Sequence, residues 1–146
     1  MRGMLSVASS LLILSSCAQP ALSPTSRHDF DNLLSQAVAL FEEYRLTNSM
    51  AREPGYDLGT QLRASEVHRK LVTRVFHSPD GVRYLASRID RERDELPTLV
   101  ILDILSESQQ SSAIPVLNRF VNHENPVVAE WARNCISRAI NPSTSE

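Results

Sequence analysis

The stretch Ile114-Pro115-x-Leu117-x-x-Phe120-Val121, followed by Asn125-Pro126 and then Val128-x-x-x-Ala132-x-x-Cys135-Ile136, decides how this chain folds. Its apolar residues recur at intervals of three and four on both sides of a short polar break, the spacing that gathers them on one face of a helix. Pro115 suits a first helical turn, where no backbone N–H is required, and Asn125-Pro126 reads as a cap and first turn for the second segment. Small residues at Ala132 and Cys135 let two antiparallel helices approach closely. The stretch is a helical hairpin.

Working toward the amino terminus, Leu96 to Leu105 is the most apolar segment, with Leu99, Val100, Ile101, Leu102, Ile104 and Leu105. Apolar almost all round, it predicts a central, buried helix; a strand is the weaker alternative for so short a run, which lacks alternation. Before it, Arg88 to Glu95 alternates in charge sign and reads as a solvated helix end and turn. Val82, Leu85, Ala86 and Ile89 mark a helix entered through Ser78-Pro79-Asp80. Thr60 to Phe76 reads as one helix with Leu62, Val67, Leu71, Val72, Val75 and Phe76 inward. Phe30, Leu33, Leu34, Ala37, Val38, Leu40, Phe41 and Tyr44 predict a first helix, capped by Ser26 or Asp29 and ending near Leu46 or Thr47. Between these two, Asn48 to Gly59 reads as a long loop, with Met50, Arg52, Glu53 and Tyr56 as a possible contact region.

The hairpin from Ala113 to Ala139 resembles one HEAT repeat: a first helix opening on an apolar-Pro pair, a short turn, then a second helix with Val and small residues at Val128, Ala132 and Cys135. Asp80 to Glu107 repeats the theme loosely. The family's turn Asp is His123 here and its second-helix Arg is Ala129, so the resemblance does not carry the polar ladder those residues form. It implies an all-α fold, a short α-solenoid of antiparallel helix pairs with about five to six helices, whose usual work is protein binding. Such arrays need about three repeats for stability, so the first two helices would serve as a remaining pair or a cap.

The first residues read as an address rather than a fold. One basic residue, Arg2, precedes an apolar stretch from Met4 to Leu14, and no charge intervenes between Gly3 and Ser26. That is the anatomy of a secretory leader. Leu14-Ser15-Ser16-Cys17 resembles the lipobox of bacterial lipoproteins. The resemblance implies cleavage before Cys17, diacylation of its thiol and acylation of the new amino terminus, and Ala18 after it resembles outer-membrane sorting. An uncleaved anchor is disfavoured because the run is shorter than the roughly 20 residues a spanning helix needs. An ordinary leader cut after Ala18 or Ala21 is the other alternative. The expected organisation is a leader over 1–16, a lipidated Cys17 and flexible tether over 17–27, a helical domain over 28–140 and a disordered tail over 141–146. The tether would reach roughly 30 Å at most.

Composition narrows the function. Lys and Arg number 15 against 17 acidic residues, a net charge of −2, which argues against nucleic acid as the main partner. Four Gly leave little material for a phosphate loop, and 2 Cys exclude a disulfide scaffold. No nucleophile elbow, Walker loop, dinucleotide fingerprint or His-Glu-x-x-His is present, so no catalytic residue, cofactor or small-molecule substrate is expected. His68 and His77, nine apart on one helix, would point about 180° from each other and cannot share a metal. Cys135 reads as an inert buried thiol.

Trp131 lies at the edge of the last helix's core stripe. It reads first as a cover over the open end of the terminal helix pair, and second as an anchor for a partner, since Trp is enriched at interface hot spots. Glu130, Arg133, Asn134 and Arg138 would flank it. The expected function is therefore a lipid-anchored periplasmic protein that binds another envelope protein as adaptor or assembly factor. A periplasmic immunity or inhibitor protein against a secreted toxin is the alternative.

Overall fold

The computed structural model describes residues 22–51 and 58–142, and its spine is the apolar segment read above as central. Among these residues there are seven helices: α1 (Pro24–Ala51), α2 (Leu58–Ala64), α3 (Glu66–Phe76), α4 (Pro79–Ile89), α5 (Glu95–Glu107), α6 (Ala113–Asn118) and α7 (Pro126–Ile140). Every residue of α5 from Thr98 to Ser106 is buried, Asp103 included. α5 packs against α1, α3, α4, α6 and α7, and α1 also lies along α2 and α3. The chain is all-helical over these residues, and none of the helices is long and apolar enough to cross a membrane.

The leader over 1–16, Cys17, the loop residues Arg52, Glu53 and Tyr56, and most of the expected tail lie outside the described residues. Met50 falls within α1. Four boundaries differ from the sequence expectation, each for a local reason. α1 starts at Pro24, so Pro24 to Arg27, expected in the tether, form its first turn. The cap is Ser23, whose hydroxyl accepts from the Ser26 amide at 3.2 Å, with Pro24 in the first-turn position. α1 also runs a turn past Leu46, because no proline or glycine occurs before Pro54 and Gly55.

The segment Thr60–Phe76 is not one helix but two, which makes seven helices where about five to six were expected. Ser65 adopts an extended backbone and its side chain accepts from the His68 amide, capping α3. A serine is no helix breaker by composition, so the break is visible only in its capping geometry. α6 is shorter than its pattern suggests, because Arg119 to Asn122 close in tight turns and the Phe120 amide bonds the Leu117 carbonyl at 3.0 Å.

α4 begins against α3 and α1 through Gly81. A β-carbon there would lie 3.2 Å from the Val75 α-carbon and 3.3 Å from the ring of Phe30, so glycine permits this approach. Two residues past the end of α5, Gln109 takes a left-handed backbone with φ of 54°. Gln110 then reaches back and donates to the Phe76 carbonyl at 2.6 Å, covering the exposed end of α3.

Candidate functional site

The least expected feature is a charged cluster inside the helical core. Asp103 lies on α5 with its side chain fully buried, and His68 on α3 is 1% exposed. Arg63 from α2 donates to Asp103 Oδ1 at 3.2 Å. Arg138 from α7 donates through Nη2 to the same oxygen, to Ser106 Oγ at 3.2 Å and toward Cys135 Sγ at 3.4 Å. The imidazole Nε2 of His68 stands 3.0 Å from Asp103 Oδ2, within ion-pair range but off the angle of a hydrogen bond. Glu107, one turn beyond Asp103, meets Arg63 Nε at 3.4 Å. Four helices thus converge on one carboxylate.

Two carboxylates face two guanidiniums and the imidazole of His68 here. Burial and the neighbouring charge of Asp103 push the Glu107 carboxyl above its ordinary range, against the pull of His68, Arg63 and Arg138. Burial, with Asp103 adding to it, pushes the Cys135 thiol up to about 12. That thiol is protonated at neutral pH and is no nucleophile. The Asp103–His68 pair is sealed from solvent and joins α5 to α3. Among the described residues, no three His, Cys, Asp or Glu side chains converge on a metal-sized site.

The residues read from sequence as a contact patch divide between two environments. Glu130, Arg133 and Asn134 are exposed along the outer side of α7, and Arg133 donates to the Val121 carbonyl at 2.8 Å, closing the turn after α6. Trp131 is half-buried against Phe41 of α1, ring centroids 5.8 Å apart, and its indole N–H is buried without a hydrogen-bond partner. The guanidinium of Arg138 turns inward to Asp103, so it belongs to the core cluster rather than to the patch. His68 and Asp103 were missed because each looks like a lone polar residue on an apolar helix. The available signal was Asp103 itself, a carboxylate inside the run Leu99 to Leu105, which requires a buried cation somewhere.

A groove of about 420 Å³ opens on another side, between α1 and the start of α5. Leu34, Val38, Ala39, Leu96 and Pro97 form its walls, and Asp31, Glu42 and Arg88 its rim. Asp31 accepts from the Tyr84 hydroxyl at 2.6 Å, and burial, with that bond adding to it, raises the phenol to about 12. Glu42 Oε1 accepts from the Arg45 guanidinium at 2.9 Å, while its Oε2 is buried with no hydrogen-bond partner among the described residues. Comparison of the chain with protein-family models, with curated proteins and with solved structures finds no match. What defines the molecule is therefore its own geometry: an all-helical domain with a buried ionic tie and a separate apolar groove.

Proposed function

We propose that this chain is a lipid-anchored bacterial envelope protein, facing the periplasm from the outer membrane, whose helical domain is a non-catalytic adaptor or assembly factor. The anchor rests on Leu14-Ser15-Ser16-Cys17, with Cys17 as the acylated residue. The single observation that carries the binding role is the groove between α1 and α5. Its walls are apolar, and its volume suits two or three side chains of an inserted segment. Its rim holds two carboxylates against one guanidinium, and Glu42 Oε2 waits for a donor. The partner that fits is a segment of another envelope protein that presents apolar side chains followed by a Lys or Arg. Succession of α3, α5 and α7 in contact supports a short HEAT-like solenoid, with α1 laid across α5 in place of a regular first pair.

The test places a photo-crosslinking amino acid at Ala39, exposed on the groove wall, and in a second chain at Glu130, exposed on α7. The expected outcome is one envelope protein captured from Ala39 and lost when Ser35→Arg, exposed on the same groove, is introduced in the same chain, with thermal melting unchanged. Capture from Glu130 alone would transfer the function to the outer side of α7. Capture from neither would end the adaptor reading. Labelled palmitate incorporated by the full chain and lost in Cys17→Ala is the matching test of the anchor.

A further inference from the structure

A second groove, of about 560 Å³, lies between the first turns of α1 and the outer side of α3, lined by Asp29, Asn32, Leu33, Arg69, Lys70, Thr73 and Arg74. Three cations face one carboxylate there, on a chain whose net charge is −2. Arg74 holds Asp29 at 3.3 Å, which joins the two helices and occupies that carboxylate. Lys70 reaches Glu66 at 2.7 Å along α3, but both side chains are mostly exposed and the pair is easily exchanged for another anion. The Arg69 guanidinium makes no hydrogen bond or ion pair among the described residues. Asn32 accepts from Gln36 at 3.5 Å, which leaves its amide NH2 as a further donor.

We infer that this groove binds the phosphate of an anionic phospholipid headgroup in the membrane that holds the chain, a reading that rests on the lipid anchor proposed above. Position supplies the occupant. Leu22, the first described residue, is half-buried against the core beside the start of α1, and Cys17 is five residues earlier, a span of at most about 17 Å. With acyl chains on Cys17 in the bilayer, the start of α1 and the adjoining groove stay beside the headgroup layer. Guanidinium groups bind phosphate oxygens in a bidentate manner, and an anionic leaflet attracts each nearby cation. The groove would fix the rotation of the domain about its tether and so present the α1–α5 groove away from the lipid.

The experiment uses the full chain in neutral maltoside micelles, titrated with dioleoylphosphatidylglycerol, with dioleoylphosphatidylcholine and with inorganic phosphate. Arginine Nε–Hε signals and the amides of residues 69–74 are followed by nuclear magnetic resonance. Phosphatidylglycerol is expected to shift the Arg69 and Arg74 signals while phosphatidylcholine does not. In Arg69→Gln with Lys70→Gln the apparent affinity falls about thirtyfold, roughly fivefold per cation with some excess, and the remaining spectrum stays that of the folded protein. No shift with phosphatidylglycerol, a shift untouched by the double substitution, or an equal response to inorganic phosphate at the same concentration overturns the proposal. The titration supplies headgroups from outside and does not need acylation. A chain without palmitate that still responds would remove the anchor and keep the groove, and an acylated chain without response would do the reverse.

Discussion

Asp103 and Asp29 both pair with arginines that join separate helices, yet they sit in opposite surroundings. Asp103 is wholly buried and takes Arg63, Arg138 and His68 from three neighbouring helices. Asp29 is about half exposed, 48%, and holds Arg74 alone at 3.3 Å. Water decides what each is worth. At the surface, solvent replaces a lost partner at almost no cost, whereas in the core a stranded guanidinium keeps its full desolvation penalty. The same residue types therefore brace the fold in one place and only decorate it in the other.

The largest test of that contrast is Asp103→Ala, which takes the shared carboxylate from three partners and should lower the urea unfolding free energy by about 3–5 kcal/mol. Replacing the whole cluster together, Asp103→Leu with His68→Leu, Arg63→Met, Arg138→Met and Glu107→Gln, should restore most of that loss, since neutral residues of similar volume need no ionic pairing. A loss under about 1 kcal/mol for Asp103→Ala would erase the distinction between core and surface pairs.

Trp131 asks the same question without charge. Its removal in Trp131→Ala uncovers Phe41 and should cost about 2–3 kcal/mol, less than a fully buried tryptophan because it is only half-buried. Trp131→Phe keeps the ring contact and removes an indole N–H that has no partner, so its melting temperature should stay close to the parent's. A chain that tolerates Trp131→Ala would return this residue to the role of partner anchor.

A smaller effect is expected with pH. The Glu107 carboxyl is raised in the fold above the ordinary value of 4.5, so the folded chain holds its proton more tightly than the unfolded one. Stability from this group is highest below that ordinary value and is lost as pH rises through the raised one. Glu107→Gln should flatten this decline in melting temperature between pH 4 and 7, while leaving the loss of Arg63's contact as a small constant offset. The smallest change is Asp29→Asn, where the bond from Arg74 is half-exposed and a cost under about 0.5 kcal/mol is expected by urea titration.

Much of the helical organisation was legible locally. Asn125-Pro126 announces the start of α7, and the Asn125 side chain accepts from the Val127 amide at 2.9 Å as a cap should. Ser78-Pro79 starts α4, and the run from Leu99 to Leu105 is as buried as its composition implies. Ser65 was illegible because serine caps and serine within helices look alike until a following amide is seen to turn toward the hydroxyl. Asn125 shows the limit in one residue. Its backbone role was readable, but its amide also donates to Glu95 at 2.7 Å, joining the starts of α7 and α5, and no spacing in the chain announces that.

The candidate sites follow the same division. Glu130, Arg133 and Asn134 were placed outward by helical periodicity and are outward, whereas Arg138 lies at the boundary of the stripe, where a long side chain can turn either way. The packing of α5 on α7 turned it in. Both grooves are made by α1 lying across elements far along the chain, and their walls combine residues such as Leu34 with Leu96 and Asp29 with Arg74.

By itself the sequence determined that the chain is helical, where proline and asparagine begin its elements and which segment is buried, because periodicity and capping act over one or two turns. Only the tertiary structure decided that Asp103 meets Arg63 and Arg138, 40 and 35 residues away, and that α1 crosses α5 to open a groove. The physical reason is that a buried charge and a concave surface are each completed by side chains from different helices, and those meet only after the helices have packed.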